Sequence, residues 1–235
     1  MSNLFRDNKG YIVNSDNPIA ILTAIKKYAM LQNRVDPQGN IIKTSARGAW
    51  LGNRGQLHGD TKTILRPFKL KAWLICVLEF KGRHRQVMAP NLYTELFFFD
   101  EATAFSAGHR PCFECRRDDA NRFKTAWLKG NPEYGFDAKV HIGEIDEIIH
   151  QERIGKDGRK ITFEGFIKDL PKGVFIEIDG NPYLFANKVI WRWTPFGYEA
   201  ETPLPATKVT VLTPKSVVNA FSSGYQPQMG IDDLK

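Results

Sequence analysis

Apolar residues recur along this chain with two periods, and the dominant period changes partway. Ile21, Leu22, Ile25, Tyr28 and Ala29 follow Asn17-Pro18 at helical spacing. An Asn cap and a proline in the first turn predict an amphipathic helix over 18–32. Residues 36–39, Asp-Pro-Gln-Gly, read as a turn, and the Gly- and Arg-rich stretch 44–60 as a loop with one short strand. Over 70–80 the period becomes two. Leu70, Ala72, Leu74, Cys76, Leu78 and Phe80 share one face, and Lys71 and Glu79 lie on the other. This predicts a strand with the first set buried, turned by Lys81-Gly82 into a second strand over 85–89. A further aromatic strand is expected over 93–99.

Asp100 is placed to cap a helix over 101–107 that Gly108 ends. Ala120, Phe123, Ala126 and Trp127 predict a helix stopping near Gly130, and Ile142, Ile145, Ile148 and Ile149 a shorter one. From about residue 156 the texture is short strands between turns: 160–166, 174–178, 183–185, 189–193 and 209–212, with Asp179-Gly180 as one turn and a last helix over 214–221. The expected class is α+β. A mixed domain with a short hairpin and helices occupies 1–155, and a small β-rich barrel or sandwich-like domain occupies 156–235.

The densest chemistry lies at 96–117, LFFFDEATAFSAGHRPCFECRR. Cys112 and Cys115, three apart, can turn both sulfurs to one point and supply half of a tetrahedral zinc site. A redox role fits less well, since the pair follows a helix rather than opening one after a strand. The stretch resembles the closing segment of the zinc-binding module of the Ada DNA-repair protein, which also occurs as a small appended domain in bacterial nucleases. The likeness rests on the aromatic strand at 97–99, the acidic-Ala helix, Ala107-Gly108, Arg110-Pro111-Cys112-x-x-Cys115 and the charged residues after it. It covers about a quarter of the chain at most. It implies a zinc-stabilised fold and makes DNA a plausible neighbour.

Two further ligands are needed to close such a site. In the appended module a Gly-Asn precedes a histidine and then a cysteine; here Gly52-Asn53 precedes His58, and no cysteine follows before Cys76. His58 and Cys76 are therefore the remaining candidates, with Asp60 a possible acceptor for the His58 ring. The alternative for Cys76 is a buried core thiol. Ada accepts a methyl group on a zinc-bound cysteine from the first half of its module, and this chain has none at the matching place. The expected role of zinc is structural.

Charge adds a second expectation. Residues 1–129 carry 21 Lys and Arg against 11 acids, and residues 130–235 carry 12 against 15. A basic front half suits a polyanion, DNA before RNA, with Arg47, Arg54, Arg83, Arg85, Arg110, Arg116 and Arg117 as candidate phosphate contacts. Asp60, Glu79 and Lys81 offer an alternative, the acid, acid and lysine set of a Mg²⁺-dependent nuclease or hydrolase. A zinc-stabilised protein-interaction module is the other alternative. No apolar run approaches the ~18 residues of a membrane span, the N-terminus lacks the apolar core of a signal peptide, and three cysteines suit a reducing compartment. A cytoplasmic location with no membrane partner is expected.

Overall fold

The computed structural model describes residues 4–6, 12–14, 30–83, 86–201 and 208–231. Two compact units divide the chain, residues 1–31 and 32–235. In the first, β1 (Leu4–Arg6) pairs antiparallel with β2 (Ile12–Asn14). Most of the helix expected over 18–32 lies outside the described residues.

The second unit holds two six-stranded sheets. The first is mixed, in the order β4-β3-β7-β5-β6-β8. Its members are β3 (Gln32–Val35), β4 (Ile41–Lys43), β5 (Trp50–Asn53), β6 (Leu74–Cys76), β7 (Leu96–Phe98) and β8 (Arg110–Pro111). The expected turn at 36–39 joins β3 to β4, with Gly39 N–H donating to Asp36 O at 2.9 Å. Gly52 is required beneath a ring: a Cβ there would lie 2.3 Å from Phe98 Cε2.

The strand expected over 70–80 contracts to β6, and its buried face is the opposite one. Trp73 and Ile75 are 3% and 0% exposed, whereas Leu70 and Leu78 stand 49% and 48% exposed. The hairpin to 85–89 is not formed by the described residues. β6 instead pairs antiparallel with β5 and parallel with β8. Two-residue alternation cannot say which face finds a partner sheet, and here a single buried indole outweighs a row of leucines.

The second sheet is wholly antiparallel, in the order β13-β12-β11-β10-β14-β9. It comprises β9 (Phe163–Phe166), β10 (Val174–Ile178), β11 (Asn181–Ala186), β12 (Val189–Thr194), β13 (Gly197–Glu201) and β14 (Lys208–Val211). Asp179 and Gly180, with φ of +49° and +75°, make the tight β10–β11 turn. Among the described residues the sheet is open, with β13 and β9 as its ends, so of the expected barrel or sandwich-like arrangement the closed barrel is not formed, and the sheet is covered on both faces. Tyr183 and Phe185 of β11 join the larger core, while Leu184 and Ala186 join a smaller one with Phe175, Leu212, Met229 and Ile231.

Among the described residues, four α-helices complete this unit: α1 (Glu101–Ser106), α2 (Arg117–Gly130), α3 (Ile142–Arg153) and α4 (Lys215–Ser222). Asp100 caps α1 as expected, accepting from Thr103 N–H at 2.7 Å. α2 buries Ala120, Phe123, Ala126 and Trp127, the four residues picked out by periodicity. The fold is α+β. One continuous core runs from Val35 through Phe98, Phe123 and Ile149 to Val211 and Tyr225, so residues on either side of the expected boundary at 155 share it. Residues 225–231 return to α1. Gln228 N–H and the Tyr225 hydroxyl each donate to Glu101 at 2.9 Å, Gly230 N–H donates to Asp100 Oδ2 at 2.8 Å, and Ala102 N–H donates to Gln228 O at 3.1 Å.

Candidate metal centre

The cysteine turn is held against β6 by main-chain bonds. Arg110 N–H donates to Trp73 O and Cys112 N–H to Ile75 O, both at 3.0 Å. This parallel register puts Cys112 beside Cys76, the last residue of β6. Arg116 N–H donates to Cys112 O at 3.0 Å, closing the turn that brings Cys115 round. The sulfurs of Cys76, Cys112 and Cys115 consequently lie within 4.8 Å of one another. Three sulfurs at ~2.3 Å from one tetrahedral ion would be about 3.8 Å apart, a spacing that falls inside that limit.

The electrostatics favour thiolates at two of the three positions. Glu114 N–H points at Cys112 Sγ, 3.3 Å away. The neighbouring Cys76 thiol, then the Cys115 and Glu114 amides, pull Cys112 down to about 5 against the opposing effect of burial. Cys115 is lowered in the same way by Cys76 and by the Val77 amide. Cys76 is pushed up by both partners and by burial, so it is the thiol of the three that holds its proton most firmly. A bound cation would replace that proton.

All three cysteines border a cavity of about 550 Å³, whose other walls include Asn53, Tyr93, Glu95, Arg83 and Glu114. Glu95 is buried and accepts from Met88 N–H at 2.7 Å. Arg83 and Glu114 form an exposed ion pair at 2.9 Å across the mouth.

His58 is placed elsewhere. It is buried, with Nδ1 2.6 Å from Thr94 Oγ1 and Nε2 3.1 Å from Ala89 O. Both ring nitrogens are thus engaged in holding the 57–65 loop to the 89–94 loop, and His58 is not among the clustered ligands. Asn53, its companion in the Gly-Asn pair, accepts from Gly55 N–H at 2.7 Å and shapes a turn.

The candidate arginines divide. Arg110 is buried and meets Asp146 of α3 through two bonds of 2.9 and 2.7 Å. Arg116 is buried over Trp50, bonded to Glu101 and Asp119 at 2.7 Å each. Arg54, 1% exposed, lies over Trp73. These three are committed inside the protein and are withdrawn as phosphate contacts on its surface. Arg47, Arg83 and Arg117 are exposed, and Arg85 lies outside the described residues. Asp60 and Glu79 are exposed, and among the described residues neither joins a group of three or more metal-binding side chains.

The sequence reading missed a buried set around Trp73. His109, 0% exposed, packs against Phe98 and Trp73 and accepts at Nε2 from Arg54 Nε at 3.1 Å, which puts its own proton on Nδ1. Arg153, at the end of α3, also lies over Trp73. Cations scattered over a hundred residues carry no local pattern that would announce this convergence.

No family model matches the chain, and no curated protein or solved structure matches it.

Proposed function

We propose that this is a zinc-binding protein whose metal, on Cys76, Cys112 and Cys115, fastens the end of β6 to the turn between β8 and α2. The observation that carries the reading is the meeting of three thiols from two segments 36 residues apart at one point. An all-sulfur donor set suits zinc and other soft or borderline ions and disfavours Mg²⁺ and Ca²⁺. Amide N–H groups directed at the sulfurs stabilise thiolate charge and temper its nucleophilicity, which supports a structural role over methyl acceptance. The likeness of 96–117 to the Ada-type module points the same way. The fourth position would face the 550 Å³ cavity that the cysteines border.

Metal analysis of the purified protein tests this. The expected result is one zinc per chain, lost in Cys112→Ser and Cys115→Ser and bound at least tenfold more weakly in Cys76→Ser. Protein that refuses zinc at neutral pH, or a Cys112→Ser/Cys115→Ser double variant with undiminished zinc content, would end the proposal.

The distribution of exposed charge supports a second element, contact with nucleic acid, DNA before RNA. Lys43, Arg47, Arg66, Lys69, Lys81 and Arg117 are exposed and, among the described residues, have no carboxylate within ion-pair distance. Fluorescence anisotropy with labelled duplex over a salt series should give a log–log slope that falls by about 0.9 for each phosphate contact removed, as in Arg47→Ala or Arg117→Ala. No binding at low salt would remove this element and leave the metal reading intact.

A further inference from the structure

A cavity of about 420 Å³ opens on the side of the mixed sheet away from any cysteine, bounded by the β3–β4 turn, the 64–67 loop and the loop that follows α3. Its charged lining is Arg54, Arg66, Arg153 and Lys160, with no acidic side chain among the described residues of the wall. We propose that this cavity binds a phosphate monoester, the dianion being held by Arg54, Arg153 and Lys160.

Unused donors are the first argument. Arg54 and Arg153 are 1% and 2% exposed, yet Arg54 Nη2 and Arg153 Nε have no hydrogen-bond acceptor. Leaving a buried charged donor unpaired is costly. Arg54 Nη2 lies at the cavity wall, 3.9 Å from where a Cβ on Gly39 would stand. The remaining donors fix the cations without neutralising them. Arg54 Nη1 donates to Gly39 O at 3.1 Å, Arg153 Nη1 to Gly108 O at 2.7 Å, and Lys160 Nζ to Ser106 O. Every one of these acceptors is a carbonyl rather than a carboxylate.

Preorganisation is the second. Both guanidinium carbons lie 3.9 Å from the Trp73 ring centroid, so a single indole, itself 3% exposed and tied to Leu70 O through Nε1, positions both forks. Asp146 and Glu147 act on Arg153, but each is already paired with a cation outside the trio, Asp146 with Arg110 and Glu147 with Lys71. Asp36 is the acid acting on both Arg54 and Lys160, and its two oxygens already accept from the Asn40 backbone N–H and Nδ2. Burial, then Arg54 and Arg153, bring Lys160 down to about 7, and burial brings Arg54 down to about 9, in each case against the opposing effect of Asp36.

Class and size follow from charge and space. With Asp146 and Glu147 balanced by Arg110 and Lys71, three cations against Asp36 leave about two positive charges, matching a monoester dianion better than a carboxylate. The volume lies within the ~300–1,000 Å³ range of small-molecule sites, and Ile41, Ile64 and Leu65 at the wall leave an apolar bed for the organic part.

Isothermal titration tests the proposal with inorganic phosphate, adenosine monophosphate, and a short DNA oligonucleotide bearing either a 5′-phosphate or a 5′-hydroxyl. Saturable phosphate binding is expected, tightened at least tenfold in a monoester. It should weaken at least tenfold in Lys160→Gln and severalfold in Arg66→Gln, an exposed wall position that leaves the core untouched. Preference for the mononucleotide identifies a free metabolite, and preference for the 5′-phosphorylated strand identifies a nucleic-acid end. If phosphate, monophosphate and phosphorylated strand all fail to saturate, or if Arg66→Gln and a folded Lys160→Gln bind like the parent, the proposal is overturned.

Discussion

The two six-stranded sheets of this protein are similar in strand number and opposite in character. The antiparallel sheet is built from strands mostly five or six residues long, joined in sequence order by tight turns from β10 to β13. Both its faces are covered by apolar side chains. The mixed sheet is built from strands of two to four residues, two of its pairings are parallel, and its edges carry three cysteines at one end and a cluster of cations near another. Regular pairing satisfies the backbone locally and leaves little exposed chemistry. Short parallel pairings need long connections, and those connections bring distant side chains together.

Metal dependence should separate the sheets most sharply. Chelation of the zinc-loaded protein should raise amide exchange of Cys112 and Arg116 by orders of magnitude, because metal-binding energy is folding energy for this turn. Amides of β10 to β12 should be much less affected in hydrogen–deuterium exchange mass spectrometry. Equal loosening of both sheets would show that the metal supports the shared core rather than the turn.

A smaller effect is expected at Asp146. Removing it by Asp146→Ala leaves Arg110 buried and unpaired, at a cost of about 3–5 kcal/mol. The expected reading is a matching fall in urea stability. Arg110→Met/Asp146→Leu should recover most of the loss, since the pair as a whole contributes little net stability.

His109 gives a pH signature confined to the mixed sheet. Burial, then Arg54 and Arg153, push it well below its ordinary value, so the folded protein keeps it neutral where the unfolded chain takes up a proton. Stability should therefore be constant above about pH 6.5 and fall on acidification below it, by up to ~1.4 kcal/mol per pH unit. A parallel urea series on His109→Gln should lack that slope.

The smallest change belongs to the antiparallel sheet. Gly180→Ala places a side chain at φ +75° in the β10–β11 turn and should cost about 1 kcal/mol by thermal melting, with or without metal.

Legibility in the sequence followed the same division. The buried face of helix α2 was readable to the residue because its apolar stripe faces one core, and β10 to β12 were readable because turn chemistry brackets them. β13 was missed: GYEAE has little apolar character, and it pairs through Trp193 opposite Tyr198. The face of β6 was read the wrong way round, since Trp73 and Ile75 point into the core and Cys76 turns toward Cys112. Cys112 and Cys115 were visible as a motif, and their meeting with Cys76 was foreseen only as one option. The pairing of Arg110 with Asp146 spans 36 positions and leaves no periodic trace.

The return of residues 225–231 to α1 has a consequence for how the chain is made. The first turn of α1 receives hydrogen bonds from Gln228, 127 positions further along. At ~5–20 residues per second, Glu101 waits on the order of ten seconds after its own synthesis for that partner to be polymerised. During that interval, the front half carries a buried-type carboxylate and an uncovered apolar face. The contacts that cover the first turn of α1 can therefore form only after nearly all of the chain has been made.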